Sequence, residues 1–154
     1  MRFCAMAVSS VSLLVLGLCY AGDPTRPAPQ AGDKGIEAAA IRHGEYLVNE
    51  VAHCSHCHTP QSDKGVPISS RLLQGATLPI MPKNKTTEWA DQSPDITRSG
   101  LAGKWKEQEM VHFLMTGVNP DGKKPIPPMP VFHLQRDDAR AVTLYLRSLP
   151  GKKG

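Results

Sequence analysis

The sequence predicts an all-α domain of three to four helices joined by long proline-rich loops. Apolar residues recur at spacings of three and four in three separate stretches, which is helical periodicity, and no stretch keeps the alternation of a strand. The segments between them carry prolines too densely for regular structure. A chain of 154 residues is long enough for one such domain with its own core and short for two, so a single site is expected.

Residues 1–21 read as a secretory signal peptide. Arg2 precedes an unbroken apolar and small-residue run over 3–19, small residues follow at Ala21 and Gly22, and cleavage is expected after Ala21. Cleaved, the mature chain does not span a membrane and is periplasmic; retained, the same run would anchor it with the domain facing the periplasm. Residues 22–35, with Pro24, Pro27 and Pro29 among Gly and Ala, form a flexible lead-in. The folded domain is expected over 36–150, followed by a basic tail at 151–154.

Within the domain, Ile36, Ala40, Gly44, Leu47 and Val51 share one helical face. A glycine inside that face costs about 1 kcal/mol relative to alanine, so the expected return at Gly44 is a close backbone approach by another element. Residues 60–97, with Pro67, Pro79, Pro82 and Pro94, show no sustained period and are expected as ordered loop with one short helical turn and no strand. A second helix is expected over 105–116. Glu107 and Glu109 suit its positive N-terminal end, Met110, Phe113 and Leu114 form its apolar face, and Gly117 ends it. Pro120, Pro125, Pro127, Pro128 and Pro130 then forbid helix and make a stiff extended segment around Met129. The last helix is expected over 136–149. Asp137 and Asp138 sit in its first turn, Val142, Tyr145, Leu146 and Leu149 form its buried stripe, and Pro150-Gly151 stops it.

A formal charge of +4 is too small for the dense basic stripe of a nucleic-acid binder and implies at most weak attraction to an acidic partner surface. Only 5% of residues are aromatic, a thin supply of core filling that a buried cofactor would supplement. Cysteine usage says more. Loss of the signal peptide removes Cys4 and Cys19 and leaves Cys54 and Cys57, whose disulfide would close too short a loop to constrain the unfolded chain.

Cys54-Ser55-His56-Cys57-His58 has the C-x-x-C-H pattern of c-type haem attachment. Two thiols on one helical turn can add to the two vinyl groups on one edge of a porphyrin, and the adjoining His58 is then delivered beneath the iron. Its other ring nitrogen needs a backbone carbonyl to fix the tautomer. A structural zinc site would need further Cys or His ligands outside this cluster, and a thioredoxin-like pair would be expected beside a βαβ pattern; the sequence offers neither. For the sixth iron position the candidates are Met81, Met110, Met115, Met129, His112 and His133. Met110 and Met115 lie on a helix where methionine is usually core filling. Met129 is favoured because its flanking prolines present a weak thioether ligand from a stiff strap; a histidine ligand or an open site is the alternative. His43, His53 and His56 are expected as solvated or hydrogen-bonded side chains.

Gly44-Glu45-Tyr46-Leu47, His58-Thr59-Pro60, Ser93-Pro94-Asp95-Ile96-Thr97, Trp105, Gly117, Asp121-Gly122, Pro128-Met129-Pro130 and Tyr145-Leu146-Arg147-Ser148-Leu149 together resemble class I cytochrome c domains. In particular they are similar to those in the cytochrome subunits of bacterial alcohol and gluconate dehydrogenases. The resemblance implies a cytochrome c fold around one covalent haem c. It also implies His58 and Met129 as axial ligands, with Gly44 and Tyr145 where the first and last helices cross. It further implies an electron carrier rather than an enzyme, accepting from a dehydrogenase and passing to an oxidase or another cytochrome. Lys123 and Lys124, just before the methionine segment, are expected to guide an acidic partner. An open sixth position would instead mean a binder of nitric oxide, carbon monoxide or peroxide. A third reading is a docking subunit of a larger dehydrogenase.

Overall fold

The computed structural model of the protein describes residues 33–83 and 88–151. The predicted signal peptide, residues 22–32 of the lead-in and residues 152–154 of the basic tail lie outside them. Helix α1 (Asp33–Tyr46) starts three residues ahead of the predicted Ile36, so the end of the supposed lead-in is helical. It runs on into a π-helical turn (Leu47–Val51), which Ala52 N closes by donating to Leu47 O at 2.8 Å. That wider turn breaks the 3.6-residue period. Val51 is thereby turned off the predicted stripe and stands 53% exposed; the buried face is Gly44, Leu47 and Val48, flanked by half-buried Ile41, and Ile36 in the first turn of α1 is 56% exposed.

A short helix α2 (Cys54–His58) follows, entered through His53 in the left-handed region at φ +50°. The predicted single helical turn is the 3-10 turn at Ser69–Arg71. The expectation of no strands fails here. Strand β1 (Gln74–Thr77) pairs antiparallel with β2 (Gln92–Asp95), Gln74 opposite Asp95 and Ala76 opposite Ser93. Each has only four residues, and Gly75 and Pro94 are poor strand formers, so neither could show an alternating pattern.

Helix α3 (Leu101–Lys104) was not expected, and α4 (Glu107–Thr116) begins two residues after the predicted Trp105. The reason is local: Lys106 N donates to Glu109 Oε2 at 2.7 Å, which makes Lys106 the N-cap, and Trp105 is extended between the two helices. Gly117 ends α4 at φ +74°, its N–H donating to Phe113 O at 2.7 Å. Helix α5 (Arg136–Ser148) carries Val142, Tyr145 and Leu146 on its buried stripe as predicted, with Asp137 and Asp138 in its first turn.

The core lies where α1 and α5 cross, their contact being the most extensive between any two elements, and α4 packs against α5 beside it. Leu47, Val48, Met110, Val111, Leu114, Val142, Tyr145 and Leu146 fill it. At the crossing, a Cβ on Gly44 would run into the Ala141 carbonyl and come within 2.9 Å of Tyr145 Cβ, so the glycine permits the close approach its position predicted. Asn49 Nδ2 donates to Tyr145 Oη at 3.3 Å across the same crossing. Leu73 belongs to this cluster and Cys54 packs against it, which sets the start of the hairpin and α2 against the core.

Candidate functional site

Helix α2 is one and a half turns long, and that brevity puts Cys54, Cys57 and His58 together. Both cysteines are free thiols and half-buried. Burial, assisted by the neighbouring Cys57 and opposed by a backbone hydrogen bond, pushes the Cys54 thiol up to about 11, so it is held protonated.

His58 is 5% exposed. Its ring makes one hydrogen bond among the described residues, between Nδ1 and Pro94 O at 2.9 Å. A carbonyl oxygen only accepts, so Nδ1 carries a proton. Burial lowers the pKa below the ordinary histidine value, outweighing the bond to Pro94 that raises it. At neutral pH the ring is therefore uncharged and Nε2 keeps an uncommitted lone pair. The expectation that a backbone carbonyl fixes this tautomer is met by a residue 36 positions away.

The hairpin holds that carbonyl in place. Ser93 Oγ donates to Cys57 O at 2.6 Å and accepts from Ala76 N at 2.9 Å, which fastens the end of α2 to both strands. Leu73 N donates to the buried Thr59 Oγ1 at 3.1 Å, and Ile96 N donates to Leu73 O at 3.0 Å. Beyond Pro94, Asp95 accepts from Thr97 N at 2.8 Å, Thr97 Oγ1 at 2.7 Å and Ser99 Oγ at 2.6 Å. Burial works to raise the Asp95 carboxyl, but these bonds, with Lys104 nearby, hold it below its usual range. Sequence reasoning assigned no role to Ser93, Thr59 or the Pro94 carbonyl. The signal was present only as the Ser93-Pro94-Asp95-Ile96-Thr97 and His58-Thr59-Pro60 runs.

Met129 is half-buried in the proline strap and is fastened on both sides. Ala90 N donates to Pro127 O at 2.8 Å, which ties the strap to the segment leading into β2, and Leu134 N donates to Leu114 O at 3.1 Å, which ties it to α4. Upstream, Asn119 Oδ1 accepts from Asp121 N at 3.0 Å and from Lys123 N at 2.8 Å, so the loop that begins the strap is closed on itself. A Cβ on Gly117 would fall within 2.6 Å of Val131 Cγ1, a second close approach that only glycine allows.

The other sulfur and imidazole candidates sit elsewhere. Met110 is 3% exposed in the core, and Met81 is 66% exposed. His112 and Met115 line a surface cavity of about 340 Å³ with Glu107 and Arg140, whose lining includes no residue of α2. His133 is exposed. His43 pairs with Asp138 at 2.7 Å, His53 Nδ1 lies 3.0 Å from Asn49 O, and His53 stacks on His56 with ring centres 5.0 Å apart.

The donor set fits a covalently held porphyrin. Two unbridged thiols on one turn could take its vinyl groups, and a buried neutral imidazole with Nε2 uncommitted stands next in sequence. The Met129 thioether, on its fastened strap, is a further candidate donor.

Comparison with known proteins gives the same direction. Residues 41–150 match the family model described as cytochrome c. The chain is 33% identical to the fructose dehydrogenase cytochrome subunit of Gluconobacter japonicus over 71% of its own length and 22% of the relative's. It is 29% identical to the cytochrome c subunit of the quinone alcohol dehydrogenase of Gluconobacter oxydans, over 77% and 26%. It is 30% identical to a dihaem cytochrome c of Cereibacter sphaeroides, over 76% and 38%. The chain thus spans less than two-fifths of the length of each of these relatives.

Proposed function

The chain belongs to the cytochrome c family, whose members carry electrons and are not catalytic by themselves, and from that premise we propose a periplasmic single-electron carrier with one haem. The haem is attached through Cys54 and Cys57 and its iron is held by His58 and Met129. The observation that carries this reading is the His58 ring, whose Nδ1 proton is committed to Pro94 O and whose Nε2 is left as a ligand. Bound there, the haem supplies a one-electron ferric/ferrous couple.

The chain's own residues do the rest. The proline strap keeps the Met129 thioether in place by limiting its freedom, since a weak donor is easily displaced from a mobile loop. With His58 and Met129 both holding the iron, no place at the metal would remain for a substrate, and the haem would supply outer-sphere electron transfer. A thioether and an imidazole together would raise the reduction potential relative to two nitrogen ligands, which suits a protein that accepts electrons from a dehydrogenase.

A dehydrogenase as donor is supported by the relatives named as cytochrome subunits of fructose and alcohol dehydrogenases. The acceptor is an oxidase or another cytochrome. Lys123 and Lys124, both exposed ahead of the strap, draw an acidic partner surface by a salt-sensitive attraction. Export rests on the signal peptide read at residues 1–21. Among the described residues no helix is long and apolar enough to cross a membrane.

The test is optical. Ferric protein is expected to show the weak far-red absorption band of a thioether-ligated haem, and Met129→Ala is expected to abolish it while the haem stays attached. A band that survives in Met129→Ala moves the ligand to another residue. Rapid carbon monoxide binding by the reduced wild-type protein would instead favour an open position.

A further inference from the structure

The dipeptides Cys57-His58 and Ser93-Pro94 face each other through a pair of crossed bonds. The Ser93 side chain reaches the Cys57 carbonyl at 2.6 Å, and the His58 side chain reaches the Pro94 carbonyl at 2.9 Å. Each bond joins a side chain of one dipeptide to the backbone of the other, and the two bonds are one residue apart on both sides.

The first bond satisfies a carbonyl that the helix leaves open. Cys57 lies in the last turn of α2, where carbonyls have no partner within the helix. Pro94 has no N–H to offer, so the facing strand can supply a donor only from a side chain. Ser93 has a single hydroxyl proton with two acceptors in reach, Cys57 O at 2.6 Å and Ala76 O at 3.2 Å, and the shorter contact takes it. Its oxygen is meanwhile occupied by Ala76 N at 2.9 Å. The hydroxyl is thus pinned by β1 on one side and pins α2 on the other.

We propose that Ser93 is a positioning residue that holds the Pro94 carbonyl against His58 Nδ1 and thereby sets the donor strength of the iron-facing nitrogen. This rests on the reading of His58 as an axial ligand. A hydrogen bond at the far nitrogen makes the coordinating nitrogen more basic, and a more basic ligand favours the ferric state. Loss of the Ser93 hydroxyl frees the end of α2 from β2, lengthens the His58–Pro94 bond and moves the equilibrium toward the ferrous state.

The holoprotein gives the test through three variants. Ser93→Thr keeps the hydroxyl, Ser93→Val has the shape of threonine without it, and Ser93→Ala removes it without added bulk. Redox titration is expected to leave Ser93→Thr at the wild-type potential. Ser93→Val and Ser93→Ala are expected to shift the ferric/ferrous ratio at fixed potential by about threefold toward ferrous, or ~28 mV at about 59 mV per tenfold for one electron. The paramagnetically shifted Nδ1 proton of His58 should exchange faster with solvent in the same two variants. Valine and alanine forms that lose melting temperature but keep both the potential and the exchange rate would overturn the proposal, as would a threonine form that shifts as far as valine. If the wild-type His58 protons show no paramagnetic shift, the axial assignment itself has failed, an outcome distinct from these.

Discussion

Asp95 concentrates several demands on one carboxylate. It accepts from Thr97 N, from the fully buried Thr97 Oγ1 and from Ser99 Oγ, so it folds the chain immediately after the carbonyl that holds His58. Its carboxyl is held below the ordinary value of 3.8, against the pull of burial. A carboxyl whose folded pKa is depressed adds stability above its unfolded pKa and loses that stability as pH falls through the folded value. Stability from Asp95 is therefore expected to be complete at pH 7 and to fade below about pH 4. Asp95→Ala should cost about 1 kcal/mol in urea unfolding at pH 7, below the usual range for a charged acceptor because the group is partly solvated. The cost should shrink toward pH 2, and an equal cost at both pH values would contradict the assignment. At this scale the sequence announced the C-x-x-C-H cluster outright, because the spacing of Cys54, Cys57 and His58 is local. It did not disclose Ser93 or Pro94 as partners, because a contact between positions 36 apart exists only once the hairpin has brought them together.

The three long helices could be read from their apolar spacing, since periodicity over ten or more residues survives small irregularities. What escaped was short or irregular: two four-residue strands, the four-residue α3, and the π-turn that rotates Val51 out of its expected face. Such pieces are too short to leave a period behind, and the strands exist only through their pairing with each other. Gly44 tests the element scale directly. Alanine is the better helix former by about 1 kcal/mol. In α1, however, its Cβ would meet the Ala141 carbonyl and the Tyr145 Cβ of α5. Gly44→Ala should therefore destabilise by about 1–3 kcal/mol net, measured by thermal or urea unfolding of the holoprotein. A stabilised variant would show that α1 and α5 are not pressed together there. By contrast, the exposed pair His43–Asp138, which also links these two helices, should give a coupling below about 1 kcal/mol in a double-mutant cycle.

Over the whole molecule, a site near one short helix is held by parts drawn from across the chain: α2 against the core, the hairpin against α2, and the strap against both α4 and the approach to β2. The charge reading has its own consequence at this scale. Under the proposed function, Lys123→Glu with Lys124→Glu should slow electron transfer from an acidic donor severalfold at low salt. The difference should largely vanish at about 1 M salt, where the screening length is about 3 Å. Stopped-flow rates across a salt series measure this, and a deficit independent of salt would assign the lysines some other role.

Covalent haem attachment at Cys54 and Cys57 underlies every other expectation, and intact-protein mass spectrometry with a pyridine haemochrome spectrum measures it. Protein exported from a host that matures c-type cytochromes is predicted to carry the mass of its mature polypeptide plus one haem and to show a bis-thioether haem c spectrum. Cys54→Ala with Cys57→Ala should lose both. Colourless wild-type protein at bare polypeptide mass would contradict the account.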